Sequence, residues 1–428
     1  MFKEISAIEK IRSFERFGSK LGLERMEKLM DKLGNPQDGM KFIHVAGTNG
    51  KGSVCRFIYE ALKENGCKVG IYTSPYVEIF NERIEFDGSY ISDDDLQSCT
   101  DEVLVKVEEL HDDSPTEFEI VTAIAFVYFK KKKADFIVLE VGLGGRGDST
   151  NIIKEPLVSV ITSISFDHMD RLGNTIEKIA NEKAGIIKKG IEVVANTNNE
   201  DATKVMVSVA DKMNAPLYDA TDIKCENVKK TSESYIFDAD VYGTKYSGIE
   251  ITMLGEHQLQ NAITALAAIE ILRKKDLISV NPEDLRRGFK KAKQIARFEI
   301  LQKNPHIIID GAHNEKGAEA LKLTMQEHFA GKKVLMVTGM LEDKDVKGIL
   351  GHFCEITDDF IATEPESSRK VTAENLRQEI LSTGKKCIAF VELGRACEEA
   401  FKLKDKYDVI LFAGSLYLVG KVRGIVNG

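Results

Sequence analysis

Residues 41–53, KFIHVAGTNGKGS, constrain this chain more than any other stretch. They read as a strand, a tight glycine loop and a helix. Phe42, Ile43 and Val45 are apolar and partly β-branched, which suits a buried strand. Gly47, Gly50 and Gly52 let backbone amides approach an anion without a Cβ in the way. From Ser53 onward Val54, Phe57, Ile58, Ala61 and Leu62 recur at helical spacing. A helix N-terminus offers unpaired N–H groups and a partial positive charge, so a phosphate belongs there. Lys51 adds a point charge for the outer phosphates, and Ser53 a hydroxyl for a magnesium ion.

The usual phosphate-loop spacing is G-x-x-x-x-G-K-[ST]. Here the loop is shorter, and Gly52 separates Lys51 from Ser53. The alternative is a glycine turn that binds nothing. Three glycines, a lysine and a hydroxyl converging between strand and helix weigh against it.

At 428 residues the chain is too long for one ordinary core, so two or three domains are expected. A hydrophobic share of 43% places it among globular chains. The net charge of −9 argues against a general nucleic-acid binder and requires that anionic ligands be held by local groups. The seven cysteines include no C-x-x-C pair, which fits reduced thiols in a cytoplasmic protein rather than a disulfide framework or zinc knuckle. The N-terminal MFKEISAIEKIRSFERF alternates charged and apolar residues as an amphipathic helix does, unlike a signal peptide. No apolar run approaches the roughly 20 residues of a membrane span.

Along the chain, helical residues 1–40 end in a turn at Gly34-Asn35-Pro36. A strand over Lys68–Tyr72 leads to Thr73-Ser74-Pro75, and NERI, Asn81–Ile84, reads as part of a polar loop. Ser92 with Asp95 marks a helix start, and a further helix begins near Pro115 and closes on the solvated run Lys130–Lys133. Strands follow at Phe136–Leu139, running into Glu140, and at Leu157–Ile164, running into Asp167 and His168. Alternation of this kind implies a mostly parallel, doubly wound sheet, with ligands at the carboxyl ends of its strands. Glu140 stands at such an end, where a carboxylate is either functional or an ordinary strand-end residue. A lone histidine such as His168 is more often structural than a ligand.

Asn174 is placed to cap a helix on which Ile176, Ile179, Ala180 and Ile187 share a face, with Lys183 inside that stripe. An inward lysine must be paired, neutralised or modified, unless it snorkels to solvent. Segments at Tyr235–Val241 and Ile249–Met253 suggest a small antiparallel sheet. In the following helix Leu259, Ile263, Leu266 and Ile269 face inward, with Gln258 and Asn261 near its start. Beyond a boundary around Ala292–Glu299, strands at His306–Ile309, Val334–Thr338, Phe360–Ala362, Cys387–Phe390 and Val409–Phe412 alternate with helices. The expected fold class is therefore α/β. An N-terminal P-loop ATPase domain over 1–295 has a doubly wound, mostly parallel sheet plus a small antiparallel sheet. A smaller, Rossmann-like α/β domain spans 296–428, without G-x-G-x-x-G.

GTNGKGS resembles the ATP loop of the Mur-ligase superfamily, in its folylpolyglutamate synthase and dihydrofolate synthase branch. GLERMEKLMDKLGNP, EVGLGGRGDSTN, SFDHMDRLGNTIEKIANEKAGIIK, DGAHN and GMLEDKD are similar to further stretches of that family, and GSLYL less specifically so. With only residues 1–40 ahead of the loop, the expectation is the folate branch, since cell-wall members carry a sizeable UDP-binding domain there. The resemblance implies ATP contacts at Gly47, Thr48, Asn49, Gly50, Lys51, Gly52 and Ser53, and at Asn261, Arg297 and Asp310. It implies Mg2+ ligands among Ser53, Ser74, Glu140 and His168, a histidine being a departure for a metal that prefers oxygen. It implies catalytic parts for Lys51, Lys183 and His313, with Lys183 carbamylated. Taken alone, Asp310 reads equally as a helix cap.

The expected activity is ATP-dependent addition of L-glutamate to a folate through a γ-glutamyl amide, by way of an acyl phosphate, with dihydropteroate as a second acceptor. This places the chain in folate biosynthesis and one-carbon metabolism, as a cytoplasmic monomer using ATP and Mg2+ with no nucleic-acid or membrane partner. The site is expected between domains, assembled by closure. The rival readings are a P-loop ATPase or kinase that stops at phosphoryl transfer, a nucleotide-binding module without turnover, and another Mur-type amino-acid ligase.

Overall fold

The computed structural model describes residues 6–17, 21–110, 114–231 and 233–427. Part of the N-terminal amphipathic segment, residues 1–5, lies outside them. In chain order the elements begin with α1 (Ala7–Arg12), α2 (Glu24–Lys32), β1 (Phe42–Ala46), α3 (Lys51–Glu64), β2 (Val69–Tyr72), β3 (Ile84–Phe86) and β4 (Ser89–Tyr90). Next come α4 (Asp93–Glu108), α5 (Glu117–Lys132), β5 (Phe136–Glu140), β6 (Val158–Ile161), α6 (Met169–Leu172), α7 (Ile176–Lys183), β7 (Val193–Ala195), α8 (Glu200–Met213) and β8 (Leu217–Asp219). Then follow β9 (Cys225–Lys230), β10 (Tyr235–Val241), β11 (Thr244–Ile251), α9 (Glu256–Lys274) and α10 (Pro282–Lys291). The last part holds β12 (Glu299–Lys303), β13 (His306–Asp310), α11 (Glu315–His328), β14 (Val334–Thr338), α12 (Val346–Glu355), β15 (Asp359–Ala362), α13 (Ala373–Ser382), β16 (Lys386–Ala389), α14 (Leu393–Lys402), β17 (Val409–Ala413) and α15 (Leu416–Asn427).

The chain divides into two compact units. The first runs to Lys229 and adds Tyr235–Ile251 and Leu259–Ala292; the second combines Lys230–Ser234, Thr252–Gln258 and the chain from Lys293 onward. The first unit contains an eight-stranded sheet in the order β4-β3-β2-β5-β1-β6-β7-β8. Its strands from β2 to β8 pair in parallel, and β3 and β4 add an antiparallel edge. β1, β5 and β6 are buried along their whole length, as a sheet covered on both faces requires. One core cluster gathers residues of α1, α2, α4 and α5; another gathers α7 and α8. A second, three-stranded sheet has the order β11-β10-β9, with β10 and β11 antiparallel. The second unit has a six-stranded sheet, β12-β13-β17-β14-β15-β16, parallel except for β12 at its edge. The α/β architecture with a large parallel-dominated sheet, a small antiparallel sheet and a C-terminal parallel-sheet unit is thus the one expected.

The caps explain several boundaries. Ser92 Oγ accepts the Asp95 N–H at the start of α4. Thr116 and Glu119 form a reciprocal capping box on α5, whose last turn carries Lys130, Lys131 and Lys132. Three local expectations need correction. NERI is not an open polar loop: Phe80–Arg83 is a 3-10 turn running straight into β3, and Asn81 and Glu82 are buried because tertiary partners satisfy them. α7 is capped by Thr175, which accepts the Lys178 N–H, while Asn174 instead accepts from the Lys178 amino group. α7 also ends at Lys183, with a 3-10 turn over Ala184–Ile186, so Ile187 packs from beyond the helix.

Candidate active site

Four neighbouring parallel strands, β2, β5, β1 and β6, end on one edge of the first unit's sheet. β2 runs into Thr73-Ser74, β5 ends on Glu140, β1 runs into the glycine loop, and β6 leads on to Asp167 and His168. Ligands of open α/β sheets are held at such an edge.

The loop is fastened to the segment after β6. The Thr48 N–H donates to Ser163 O at 2.8 Å, and Thr162 Oγ1 donates to Asn49 O at 2.7 Å. Asn49 Nδ2 reaches Ser165 Oγ at 3.4 Å. Gly47 has φ of 150°, and a Cβ there would collide with the Thr162 hydroxyl, so this closeness requires glycine. Gly50, at φ 88°, precedes the first turn of α3, and Asn261 of α9 lies directly against it. Gly52 and Ser53 are in that first turn, with Ser53 buried.

Lys51 Nζ folds back to donate to Gly47 O at 3.1 Å and Thr48 O at 3.2 Å. Lys183, 4% exposed at the end of α7, donates to the same Gly47 carbonyl at 2.8 Å. Burial pushes the Lys183 ammonium down to about 7, and the Lys51 charge pushes the same way, against Asp167 and Asp148. Its amine therefore gives up its proton far more readily than an ordinary lysine. The apolar-stripe position of Lys183 is real, and the amino group does not snorkel out.

Glu140, 5% exposed, accepts the Ser74 N–H at 3.1 Å through Oε2. Its charge also raises the buried Cys55 thiol in α3, after burial itself. His168 sits at φ 48° before α6 with its side chain half exposed, Nε2 3.9 Å from an Asp167 oxygen. Among the described residues no group of three or more His, Cys, Asp or Glu side chains gathers as a metal cluster.

Asp148 went unremarked in the sequence. It is buried, and its carboxylate accepts from the Leu143 N–H at 2.8 Å, the Thr150 N–H at 3.0 Å and the Thr150 hydroxyl at 2.6 Å. Because Thr150 donates to Asp148, its oxygen accepts from His44 Nε2 at 2.9 Å. Burial drives His44 down to about 3 and so keeps it neutral. The D-S-T run, an aspartate bonding its own chain two residues on, is the signal that could have singled this turn out.

In the second unit, Asp310 ends β13. Its carboxylate accepts from the Phe298 N–H at 2.7 Å and the Ala312 N–H at 2.8 Å. Burial raises this acid while the Arg297 charge lowers it. It does not cap α11, whose first turn is capped by Asn314. Ala296 and Phe298, on either side of Arg297, both adopt positive φ. His313 Nδ1 lies 2.7 Å from Gly311 O.

A family model for the Mur ligase middle domain matches residues 45–269, and one described as "Mur ligase, glutamate ligase domain" matches residues 296–416. The chain is 39% identical over 422 residues to a Bacillus subtilis dihydrofolate synthase/folylpolyglutamate synthase, covering 95% of each chain. It is 34% identical to a Lacticaseibacillus casei folylpolyglutamate synthase, covering 98% of this chain and 97% of the relative. Among solved structures, a Mycobacterium tuberculosis folylpolyglutamate synthase complexed with ADP and AMPPCP superposes with a TM-score of 0.91 at 30% identity, covering 99% of each chain. An Escherichia coli FolC in complex with DHPP and ADP does so with 0.87 at 30% identity, covering 99% of this chain and 98% of that one. With its strand-end phosphate loop and a match running nearly end to end, the chain belongs to the folylpolyglutamate synthase/dihydrofolate synthase family of Mur ligases.

Proposed function

We propose that this protein is an ATP-dependent ligase that joins L-glutamate to a folate through a γ-glutamyl amide. The observation that carries the proposal is the convergence of the glycine loop, Lys51, Lys183 and Glu140 on one sheet edge. A carboxylate does not react with an amine in water, because its carbonyl is a poor electrophile. Transfer of the γ-phosphoryl of ATP to the folate's terminal carboxylate makes an acyl phosphate. The glutamate amine then attacks its carbonyl carbon, the C–O bond to phosphate breaks, and phosphate leaves.

Each group has a part in that sequence. The loop from Gly47 to Ser53, with Asn261, holds the nucleotide, and Lys51 swings from the loop carbonyls onto the outer phosphates. Arg297 and Asp310 are assigned to the nucleotide and His313 to catalysis on the family resemblance, and their alanine variants test that assignment. The hydroxyls of Ser53 and Ser74 and the Glu140 carboxylate suit a hard, oxygen-seeking Mg2+, with the half-exposed His168 as a fourth donor. When bound, that ion offsets charge on the phosphoryl group. With its affinity for a proton lowered by burial, the Lys183 amine is able to add CO2, and the carbamate would place an acidic group beside Gly47. We place nucleotide handling in the region up to about residue 295 and glutamate ligation beyond it. We take the working form to be a cytoplasmic monomer without a nucleic-acid partner.

The test offers purified protein ATP, Mg2+, labelled glutamate and either a reduced folate or dihydropteroate. ADP, phosphate and lengthened product should appear together, and only with all substrates present. ADP formed without glutamate would return the kinase reading. Use of dihydropteroate as well is favoured by the double name of the Bacillus subtilis relative. Lys183→Ala should lose turnover and regain part of it with small added carboxylic acids.

A further inference from the structure

The NERI tetrapeptide, Asn81–Ile84, has no part in the reaction above, yet its side chains are all engaged. Asn81 Nδ2 donates to Ile91 O at 2.7 Å and to Asp93 Oδ1 at 3.0 Å, which ties the turn to the start of α4. The Arg83 guanidinium lies over the rings of Tyr76 and Phe80, at 5.3 and 5.2 Å, and 3.5 Å from Glu117. Ile84 begins β3. Arg83 thus stacks on side chains of the preceding loop, whereas the Glu82 carboxylate turns back on that loop's backbone. Its Oε2 accepts the Val77 N–H at 2.7 Å, and its Oε1 accepts those of Glu78 at 3.1 Å and Ile79 at 2.9 Å.

Three backbone donors on one carboxylate are charge-assisted bonds, and they fix the path of the backbone that supplies them. That backbone belongs to the loop from Thr73 to Phe80, which begins at the site. The Thr73 N–H donates to Arg83 O at 3.0 Å, and the Ser74 N–H donates to Glu140 Oε2 at 3.1 Å. The loop is thus held at its start by Arg83 O and Glu140 and further along by Glu82.

We propose that Glu82 is a positioning residue: by gathering the amides of Val77, Glu78 and Ile79 it sets the loop that presents Ser74 to Glu140. The inference rests on the assignment of Ser74 and Glu140 to the metal-binding side of the site. A glutamine would match the shape but keep only one acceptor oxygen, and it would set an NH2 group against backbone N–H groups.

The test uses full-length Glu82→Gln, Ser74→Ala, their double variant, and Asn81→Ala, which alters an equally buried member of the same turn. Hydrogen exchange across residues 75–80 should quicken in Glu82→Gln, and kcat should fall about tenfold or more while KM for ATP holds. The double variant should be no slower than Ser74→Ala by more than about twofold, because the effect of Glu82 passes through Ser74. Asn81→Ala should lower the melting temperature at least as much yet reduce kcat less than about threefold. Unchanged exchange in 75–80, or losses that multiply in the double variant, would overturn the proposal. Should Glu82→Gln be insoluble, Glu82→Asp, which keeps the charge but withdraws it by one methylene, is read by the same criteria. Wild-type protein lacking glutamate-dependent ADP formation would sink the ligase reading, and the exchange result would still decide whether Glu82 holds the loop.

Discussion

Two lysines on one carbonyl set the electrostatics at the residue scale. Lys183 binds its proton less tightly when folded, at about 7, than at its ordinary value of 10.5. Between those values the unfolded chain carries the extra proton, so stability rises with pH across that window and the slope vanishes below it. At its steepest the rise is about 1.4 kcal/mol per pH unit. Urea midpoints taken from pH 7 to 9.5 in bicarbonate-free buffer should climb in the wild type, and Lys183→Met should lose that part of the slope. An identical slope in the variant would mean that Lys183 is charged in the fold. Lys51→Ala should reduce turnover by about a hundredfold or more if, as proposed, Lys51 offsets the charge that develops on the transferring phosphoryl group. It should leave a folded protein with a melting temperature near that of the wild type, because the Lys51 amino group bonds carbonyls of its own loop. Normal turnover in that variant would remove the loop from the reaction.

At the scale of elements, parallel strands were legible and edges were not. β1, β5, β14 and β17 are buried along their whole length and mostly apolar because helices cover both faces of their sheets, and such runs stand out in a sequence. β12 escaped notice since Glu299–Lys303 is only partly buried and its pairing partner lies across a turn. NERI misled for another reason: its polar residues are buried against the turns just before and after it, which polarity alone does not reveal. Helix pairing depends on contacts distant in sequence. A Cβ on Gly288 in α10 would stand 2.6 Å from Ala61 Cα of α3, next to the stacked rings of Phe57 and Phe289 at 5.2 Å. Gly288→Ala should therefore push α10 from α3 and destabilise the protein by about 2 kcal/mol, measured by chemical denaturation. Because α3 carries Ser53 and the loop, kcat should fall with it. A neutral substitution would show that the two helices have room to separate.

Across the whole molecule, the phosphate loop, Glu140 and Lys183 could be singled out because each breaks a local rule: a glycine cluster, a carboxylate ending an apolar strand, a lysine on an apolar stripe. Asp148 and Glu82 bond mostly to their own neighbourhood and are told from ordinary turn carboxylates only by burial, while the His44 partner, Thr150, is brought to it only by folding. The cysteines follow the same logic in reverse, for their count suggested free thiols and their places in the fold decide their reactivity. All seven are free. Burial raises the thiols of Cys55, Cys67, Cys99, Cys225, Cys387 and Cys397, with Cys397 pushed up to about 12. A raised thiol is mostly protonated at neutral pH and so a poor nucleophile. Cys67, Cys225 and Cys354 are the partly exposed ones, and the Cys354 sulfur in α12 lies 3.3 Å from the Thr383 hydroxyl. At pH 7.5 a chromogenic thiol reagent should therefore modify one cysteine quickly, and Cys354→Ser should abolish that phase. The rest should react only at the rate of local or global opening, and all seven thiols should appear in denaturant. A reducing agent should leave the melting temperature unchanged. Several fast-reacting thiols in the native protein would mean that the cores around Cys55, Cys387 and Cys397 open far more readily than their burial implies.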